Sequence, residues 1–276
     1  MRISSTFLIV CAALLLLPIA VSSPAFACGP DSDCALGERT YRIRMPQAHD
    51  GASKVGAIIF LHGYRGTARG LMRNKRLRKS ISDMGLAFVA AKSARADWDI
   101  PNAPSEKGEG ELAYFDALKT DLVQNHHIAP HKIMVTGFSA GGMMTWELAC
   151  NRSGQFAAFA PMSGTFWAPV PKRCSSNFGP IIHMHGTADK VVPLKGRKIQ
   201  QTSQGSVYGA LKLVAQSKAH SSWRSMGEFD GLSCQSRRTE IGPSLQFCLH
   251  GGGHTFKSSW LGRAWSEFEK MGAFEP

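Results

Sequence analysis

Short apolar runs alternate with longer amphipathic segments along most of the chain. Continuous apolar runs are typical of strands buried on both faces, and a 3.6-residue period is typical of helices packed against them. This alternation predicts an α/β fold, with a mostly parallel central sheet and helices on both faces. The expected strands are 41–45, 55–61, 86–91, 132–136, 156–162, 180–186 and 245–251, and the expected helices are 67–83, 110–127, 139–150, 205–219 and 262–272.

The first residues follow a different pattern. Arg2 precedes an apolar run over 7–21, and small residues lead up to Ala27. A basic start, an apolar core and a small-residue end predict a secretory signal over 1–27. The run is shorter than the roughly 20 residues that span a bilayer, so we expect no integral membrane span and a secreted protein, periplasmic or extracellular. Cys28 directly follows the cleavage site, which leaves lipid attachment open as an alternative.

Residues 28–276 are expected to form a single catalytic domain. This length suffices for one α/β unit with a sizeable core, and the segment contains no repeat, low-complexity tract or linker.

Cysteine usage agrees with export. The precursor has seven cysteines, of which Cys11 lies in the predicted signal. Six cysteines in an exported chain suggest disulfides, and six allow 15 connectivities. Buried free thiols are the alternative. Sequence proximity favours the pairs Cys28–Cys34, Cys150–Cys174 and Cys234–Cys248.

The formal net charge is +12, and much of the basic excess lies in one segment, 65–79. Such a segment is either a patch for nucleic acid or another anionic surface, or the solvated face of a helix. No aromatic residue is interleaved there to stack on bases, so we favour the helix face and expect no nucleic-acid partner. The cations are Arg65, Arg69, Arg73, Lys75, Arg76, Arg78 and Lys79.

A G-x-S-x-G pattern surrounds Ser139, between the apolar run 132–136 and an expected helix. In this context the pattern predicts a strained turn that exposes the serine hydroxyl, and its glycines permit close backbone approach. By itself the pattern also fits a glycine-rich turn with a capping serine.

A serine nucleophile needs a base and a group that orients the base. In this architecture the order is serine, acid, histidine. Asp189 follows the strand 180–186, and His254 follows the strand 245–251, so both lie at strand ends in the required order. We expect the oxyanion donors to be the amides of Ala140, at the helix start, and Tyr64, in the loop after an early strand.

Other side chains were weighed as ligands or substrate contacts. The histidines of "HHIAPH" (126–131) and "HMH" (183–185) lack the spacing and third ligand of a metal site, so we expect neither metal nor cofactor. Three tryptophans follow loops on the predicted site side; each is a candidate substrate contact, although core or rim filling is the more common role of such a residue. They are Trp98, Trp167 and Trp260.

The motifs together resemble secreted α/β-hydrolases of the polyhydroxybutyrate depolymerase and feruloyl esterase type. The resemblance rests on "IIFLHGYRG", "TGFSAGGMMTWELAC", "HGTADKVVPL" and "GGGHTF", among other segments. It implies an α/β-hydrolase fold, a triad of Ser139, Asp189 and His254, and an oxyanion loop after His62. The chain departs from the family pattern at "GEGELAYF" and "AKSARADWD", which are expected to border the substrate.

The expected function is therefore an exported serine esterase that hydrolyses carboxylic esters through an acyl-enzyme. The substrate is a small-molecule or polymeric ester, either of polyhydroxybutyrate and short-chain hydroxyalkanoate type or of feruloyl type. A peptidase or acyltransferase on the same triad, or a non-catalytic polymer-binding module, is the alternative. The short segment between Ser139 and Asp189 leaves no room for a lid domain, so we expect an open cleft; the oligomeric state is not predicted.

Overall fold

The structure is a computed structural model that describes residues 28–108, 110–175, 177–217, 221–239 and 242–276. The predicted signal, 1–27, lies outside the described residues. The strands are β1 (Cys34–Leu36), β2 (Arg39–Arg44), β3 (Val55–Leu61), β4 (Ala87–Ala91), β5 (Ile128–Phe138), β6 (Ala158–Met162), β7 (Ile181–Gly186), β8 (Arg197–Ile199), β9 (Thr202–Gln204), β10 (Arg224–Phe229), β11 (Leu232–Thr239) and β12 (Gly242–His250).

The helices are α1 (Ala68–Arg73), α2 (Lys75–Ser82), α3 (Glu111–Asn125), α4 (Ala140–Asn151), α5 (Val207–Ser217) and α6 (Ser259–Lys270). Within the described ranges, none of the helices is both long and apolar enough to cross a bilayer.

Ten strands form one sheet in the order β1-β2-β4-β3-β5-β6-β7-β12-β11-β10. The six strands from β4 to β12 in that order pair in parallel. The outer strands on both sides pair antiparallel. The sheet is therefore mostly parallel at its centre, as expected, and the carboxyl ends of its central strands share one edge.

Helices cover both faces of the sheet. Neighbouring residues of one strand belong to opposite layers, since Ile59 of β3 packs with α3, α4 and α5, whereas Ile58 packs with α1, α2 and α6. Such strands are buried on both sides, which is why they read as continuous apolar runs.

The expected helix over 67–83 is wrong in one respect, because it is two helices. Asn74 separates α1 from α2: its amide donates to the carbonyl of Leu71 at 3.0 Å, and its side chain accepts from the amide of Leu77 at 3.1 Å. The same residue therefore ends one helix and caps the next. The basic segment is consequently spread over two short helices.

Two hairpins were missed by the sequence analysis. The β8–β9 hairpin follows the loop that carries Asp189, and the β10–β11 hairpin extends the sheet beyond β12. Most residues of β10 are exposed. Strands that bury few apolar residues show no apolar run, so hydrophobic periodicity does not mark them.

The structure pairs the six cysteines as expected from their proximity in sequence. It contains the disulfides Cys28–Cys34, Cys150–Cys174 and Cys234–Cys248. Cys234 and Cys248 also lie directly opposite each other in the β11–β12 register.

Candidate active site

Ser139 lies in the turn between β5 and α4, with φ 60° and ψ −121°. A non-glycine residue in this backbone region costs on the order of 1–3 kcal/mol and persists only where its surroundings hold it. Its amide donates to the carbonyl of Met162 at 3.0 Å, and its carbonyl accepts from the amide of Met143 at 2.9 Å. The turn therefore has the geometry that the G-x-S-x-G pattern predicts.

Gly141 explains the second glycine of that pattern. A Cβ on Gly141 would lie 2.0 Å from the carbonyl oxygen of Leu61, at the end of β3. The first turn of α4 therefore packs against the backbone of the neighbouring strand at a distance that only glycine allows.

Asp189 and His254 are hydrogen-bonded to each other. The Asp189 side chain is fully buried, and its Oδ2 lies 2.7 Å from Nδ1 of the half-buried His254. Its Oδ1 accepts from the amides of Val191 and Val192, each at 2.8 Å. Burial alone raises the pKa of this carboxyl, but the hydrogen bonds from His254 and the two amides outweigh burial, so the pKa lies below its usual range.

The loops that carry these two side chains are joined by their backbones. The Thr187 amide donates to the His250 carbonyl at 2.8 Å, and the Ala188 amide donates to the Gly252 carbonyl at 3.1 Å. A Cβ on Gly186 would lie 2.3 Å from the carbonyl oxygen of Gly253. The close approach of the loops accounts for the glycine at position 186.

His254 lies against the turn that holds Ser139. The ring centroids of Phe138 and His254 are 4.6 Å apart, and Phe138 directly precedes the serine. The loop after β3 is equally close, since a Cβ on Gly63 would lie 3.4 Å from Cβ of Ser139. No hydrogen bond within the described part of the chain engages the backbone amide of Tyr64 or Ala140.

His185 and His183 form a support that the sequence analysis missed. His185 Nε2 lies 2.7 Å from the Val192 carbonyl oxygen and 3.5 Å from Asp189 Oδ2, and its Nδ1 lies 3.0 Å from His183 Nε2. Burial lowers the pKa of both imidazoles, so both are neutral near pH 7. The sequence feature that could have identified this pair is the placement of two histidines at alternate positions of a buried strand that ends just before Asp189.

An open cleft of about 500 Å³ contains Ser139. The β8–β9 hairpin supplies part of its lining, and Trp167 joins that hairpin through a bridge to Gln204. The lining residues are Tyr64, Asp97, Pro104, Ser105, Ser139, Ala140, Met143, Trp167, Val191, Val192, Arg197, Ile199, Gln200 and Gln204.

Trp167 thus lines the cleft and stays a candidate substrate contact, whereas the candidate role of Trp98 and Trp260 as substrate contacts is wrong. Trp98 is 0% exposed, and its Nε1 donates to the His62 carbonyl at 2.8 Å. Trp260 is 2% exposed, and its Nε1 donates to the Asp230 carbonyl at 3.2 Å. Neither indole can contact a substrate; Trp98 instead supports the start of the Tyr64 loop.

The other histidine cluster is also structural. His126 Nε2 lies 2.7 Å from the Tyr41 hydroxyl and 3.8 Å from Cys28 Sγ. Among the described residues, Cys28, Cys34 and His126 are the one group close enough to hold a metal ion, but the disulfide removes both thiolates as ligands.

This arrangement has the parts that nucleophilic acyl transfer requires. A hydroxyl on a strained turn lies beside an imidazole whose other nitrogen is bonded to a buried carboxylate. Backbone amides without internal partners lie at the helix start and in the adjacent loop. Such parts can take a proton from the hydroxyl and stabilise an oxyanion.

Comparison with known proteins places the chain among ester hydrolases. Residues 112–229 match the phospholipase/carboxylesterase family. A probable feruloyl esterase C of Aspergillus terreus is 26% identical over 226 residues, which cover 78% of this chain and 76% of that protein. The feruloyl esterase C of Emericella nidulans is 27% identical over 165 residues, and the match covers 57% of each chain.

Solved structures share the fold at lower identity. An acetyl xylan esterase from Aspergillus awamori superposes with a TM-score of 0.60 and 16% identity, covering 87% of this chain and 96% of that one. Esterase PE8 superposes with a TM-score of 0.52 and 20% identity, covering 80% and 94%. At these identities the likeness concerns the fold alone.

Proposed function

Since this chain is an α/β-hydrolase related to the feruloyl esterases, we propose that it is a serine-dependent carboxylic ester hydrolase. In this proposal Ser139 is the nucleophile, His254 is the general base and Asp189 orients the base. The observation that carries the proposal is the 2.7 Å bond between His254 and the buried Asp189, beside the strained turn of Ser139.

In the first step, His254 Nε2 takes the proton of Ser139 Oγ as the oxygen attacks the ester carbonyl. The bond from His254 Nδ1 to Asp189 Oδ2 keeps Nε2 unprotonated and available as the acceptor. The lowered pKa of Asp189 keeps its carboxylate charged, which stabilises the imidazolium that forms.

The amides of Ala140 and Tyr64 are proposed to hold the oxyanion of the tetrahedral intermediate. The protonated His254 then gives its proton to the leaving alcohol. A water molecule, activated by the same imidazole, releases the acid from Ser139 by the reverse sequence.

The substrate is proposed to be a short-chain ester or an ester on a polymer lying across the surface. This choice is supported by a cleft that is open and bordered by polar groups such as Ser105, Gln200 and Gln204. Esters of polyhydroxybutyrate or feruloyl type both fit this description. We also propose that 1–27 direct export and that 28–276 form one domain; the three disulfides support export.

Covalent labelling and turnover test this proposal together. A fluorophosphonate probe should label the wild-type protein on Ser139, and Ser139→Ala should not be labelled. Ser139→Ala and His254→Ala should each lower kcat on p-nitrophenyl acetate by about a thousandfold or more, with unchanged circular dichroism. A protein that takes no label and turns over no ester would instead be a binding module.

A further inference from the structure

Arg197 is a cation fixed inside the same cleft as Ser139. It begins β8 and lies opposite Gln204 in the β8–β9 register. Its Nε donates to Gln204 Oε1 at 3.3 Å, and Gln204 is itself buried and paired to Trp167. The guanidinium is therefore oriented by a hairpin, while its terminal nitrogens remain available on the cleft surface.

The charge of Arg197 has no counterion in the surrounding structure. No carboxylate of the described residues lies within 4.0 Å of its nitrogens. The segment 190–204 also contains Lys190, Lys195 and Lys198 but no aspartate or glutamate. An unpaired guanidinium among further cations is a ready partner for an anion.

Asp97 is the carboxyl in this cleft, and it lies outside the hairpin, on the segment after β4. Its Oδ1 accepts from the Trp98 amide at 2.9 Å. Burial raises the pKa of this carboxyl, and the Ser105 hydroxyl also donates to it, at 3.5 Å. The hairpin side of the cleft is therefore its anion-attracting side.

We infer that Arg197 is the anion subsite of this cleft, and that its preferred substrates are esters that carry a free carboxylate. The inference rests on the proposed ester hydrolysis. A guanidinium binds a carboxylate through two parallel N–H···O bonds, which fixes the orientation as well as the affinity. The reaction remains simple hydrolysis: water cleaves the acyl C–O bond, and the carboxylate at Arg197 takes no part in bond making.

The carboxylate can belong to the acyl part or to the alcohol part of the ester. Monoethyl succinate carries it on the acyl part, and ethyl 4-methylpentanoate is its neutral counterpart of similar shape. The acetate ester 3-acetoxypropanoate carries it on the alcohol part, and isopentyl acetate is the neutral counterpart. The arm with the larger ratio of kcat/KM, charged over neutral, identifies which part faces Arg197.

The first test is this ratio in wild type, Arg197→Gln and Lys198→Gln. Lys198 is the adjacent exposed cation and does not line the cleft, so it is the matched control. We expect Arg197→Gln to lower the ratio by about tenfold or more in one arm, and Lys198→Gln to change it less than about twofold. Arg197→Glu should bring the ratio below one.

A binding measurement separates this inference from the proposed function. In a Ser139→Ala background, calorimetry should show monoethyl succinate or 3-acetoxypropanoate binding at least about tenfold more weakly when Arg197 is glutamine. Turnover of neutral esters without any charge preference would overturn the subsite and leave the esterase proposal intact. Arg197-dependent binding without turnover would support the anion subsite and overturn the esterase proposal. An equal loss of affinity in Lys198→Gln would show that Arg197 acts only through the general surface charge, and would overturn the inference.

Discussion

At the scale of single residues, the nucleophile, acid and base were proposed from sequence because their order and their positions at strand ends constrain them strongly. The residues that contact the substrate could not be predicted from the sequence in the same way. An indole after a loop has the same sequence signature whether it lines a cleft, as Trp167 does, or is enclosed in the core like Trp98. Only packing distinguishes the two. Arg197 was overlooked because it lies on a strand without an apolar run.

His185 is expected to position Asp189 without touching the substrate. His185→Leu removes the Nε2–H bond to the Val192 carbonyl, which lies in the loop that holds Asp189. We expect kcat to fall by roughly tenfold to a hundredfold with KM little changed, because the interaction acts on the base and not on binding. His185 Nε2 also lies 3.5 Å from Asp189 Oδ2, so the loss of this polar group leaves the carboxylate a stronger partner for the imidazolium, and the acid limb of kcat/KM should move to higher pH.

The variant His185→Gln supplies the control for this prediction, since its amide N–H can reach the same carbonyl. It should recover most of the activity and the original pH limb. An unchanged pH profile in His185→Leu, with the same loss of kcat in both variants, would indicate a purely structural role.

Glu147 should make the protein less stable as the pH rises. This residue of α4 is buried, and burial, followed by the charge of Glu106, raises its pKa from the usual 4.5 to about 7. The folded state therefore binds more protons than the unfolded state between these two pKa values. The contribution of Glu147 to stability is therefore highest below about pH 4.5 and falls by about 3 kcal/mol as the pH rises to 7.

Urea denaturation of wild type and Glu147→Gln at pH 5 and pH 8 measures this effect. The variant should be more stable than wild type at pH 8 and lose this part of the pH dependence. If the variant is less stable than wild type at pH 8, the ionised Glu147 carboxylate has an interaction whose favourable free energy exceeds the cost of its desolvation.

At the scale of elements, the apolar runs located every central strand but not all of their bounds, since β5 spans Ile128–Phe138 where 132–136 was expected. β3 matches its expected bounds because each face of it is covered. β10 is mostly exposed, and β11 buries only alternate residues such as Leu232 and Cys234, so neither strand has an apolar run and both were missed. The division of 67–83 into two helices follows from one cap, Asn74, inside a segment whose amphipathic pattern is otherwise continuous.

The Cys234–Cys248 disulfide is expected to stabilise the fold and to hold the loop that carries His254 in place. It closes a loop with a sequence separation of 14, and β12 leads directly into the His254 loop. The double variant Cys234→Ser/Cys248→Ser should lose about 3 kcal/mol in the free energy of unfolding on the chain-entropy model. It should also lose activity at temperatures well below global unfolding, because the loop is held less firmly.

The Cys28–Cys34 pair provides the comparison, since it lies at the opposite edge of the sheet from β11. Its removal should cost about 2 kcal/mol because the closed loop is shorter, and should leave kcat at 25 °C unchanged. Equal losses of activity in the two double variants would argue against a local effect on His254.

At the scale of the whole molecule, the parallel order of the central strands brings the loops after β3, β5, β7 and β12 to one edge of the sheet. Residues far apart in sequence meet there, which is why a fold prediction was enough to group Ser139, Asp189 and His254. The cleft beside these residues could not be predicted from the strand order. Its lining depends on the β8–β9 hairpin and on Trp167, which bridges to Gln204, and neither follows from strand order.

The Cys150–Cys174 disulfide leads us to predict a preference for short acyl chains. It ties the connection between β6 and β7 to the end of α4, so this connection cannot swing over the cleft as a lid. A cleft that is permanently open and partly polar gives a long acyl chain little apolar surface to bury, at roughly 0.8 kcal/mol per methylene. Hydrolysis of p-nitrophenyl esters should therefore be fastest at acyl lengths of about two to four carbons and show no rise at the micellar threshold. A preference for long chains, or activation at an interface, would mean that the cleft closes around its substrate after all.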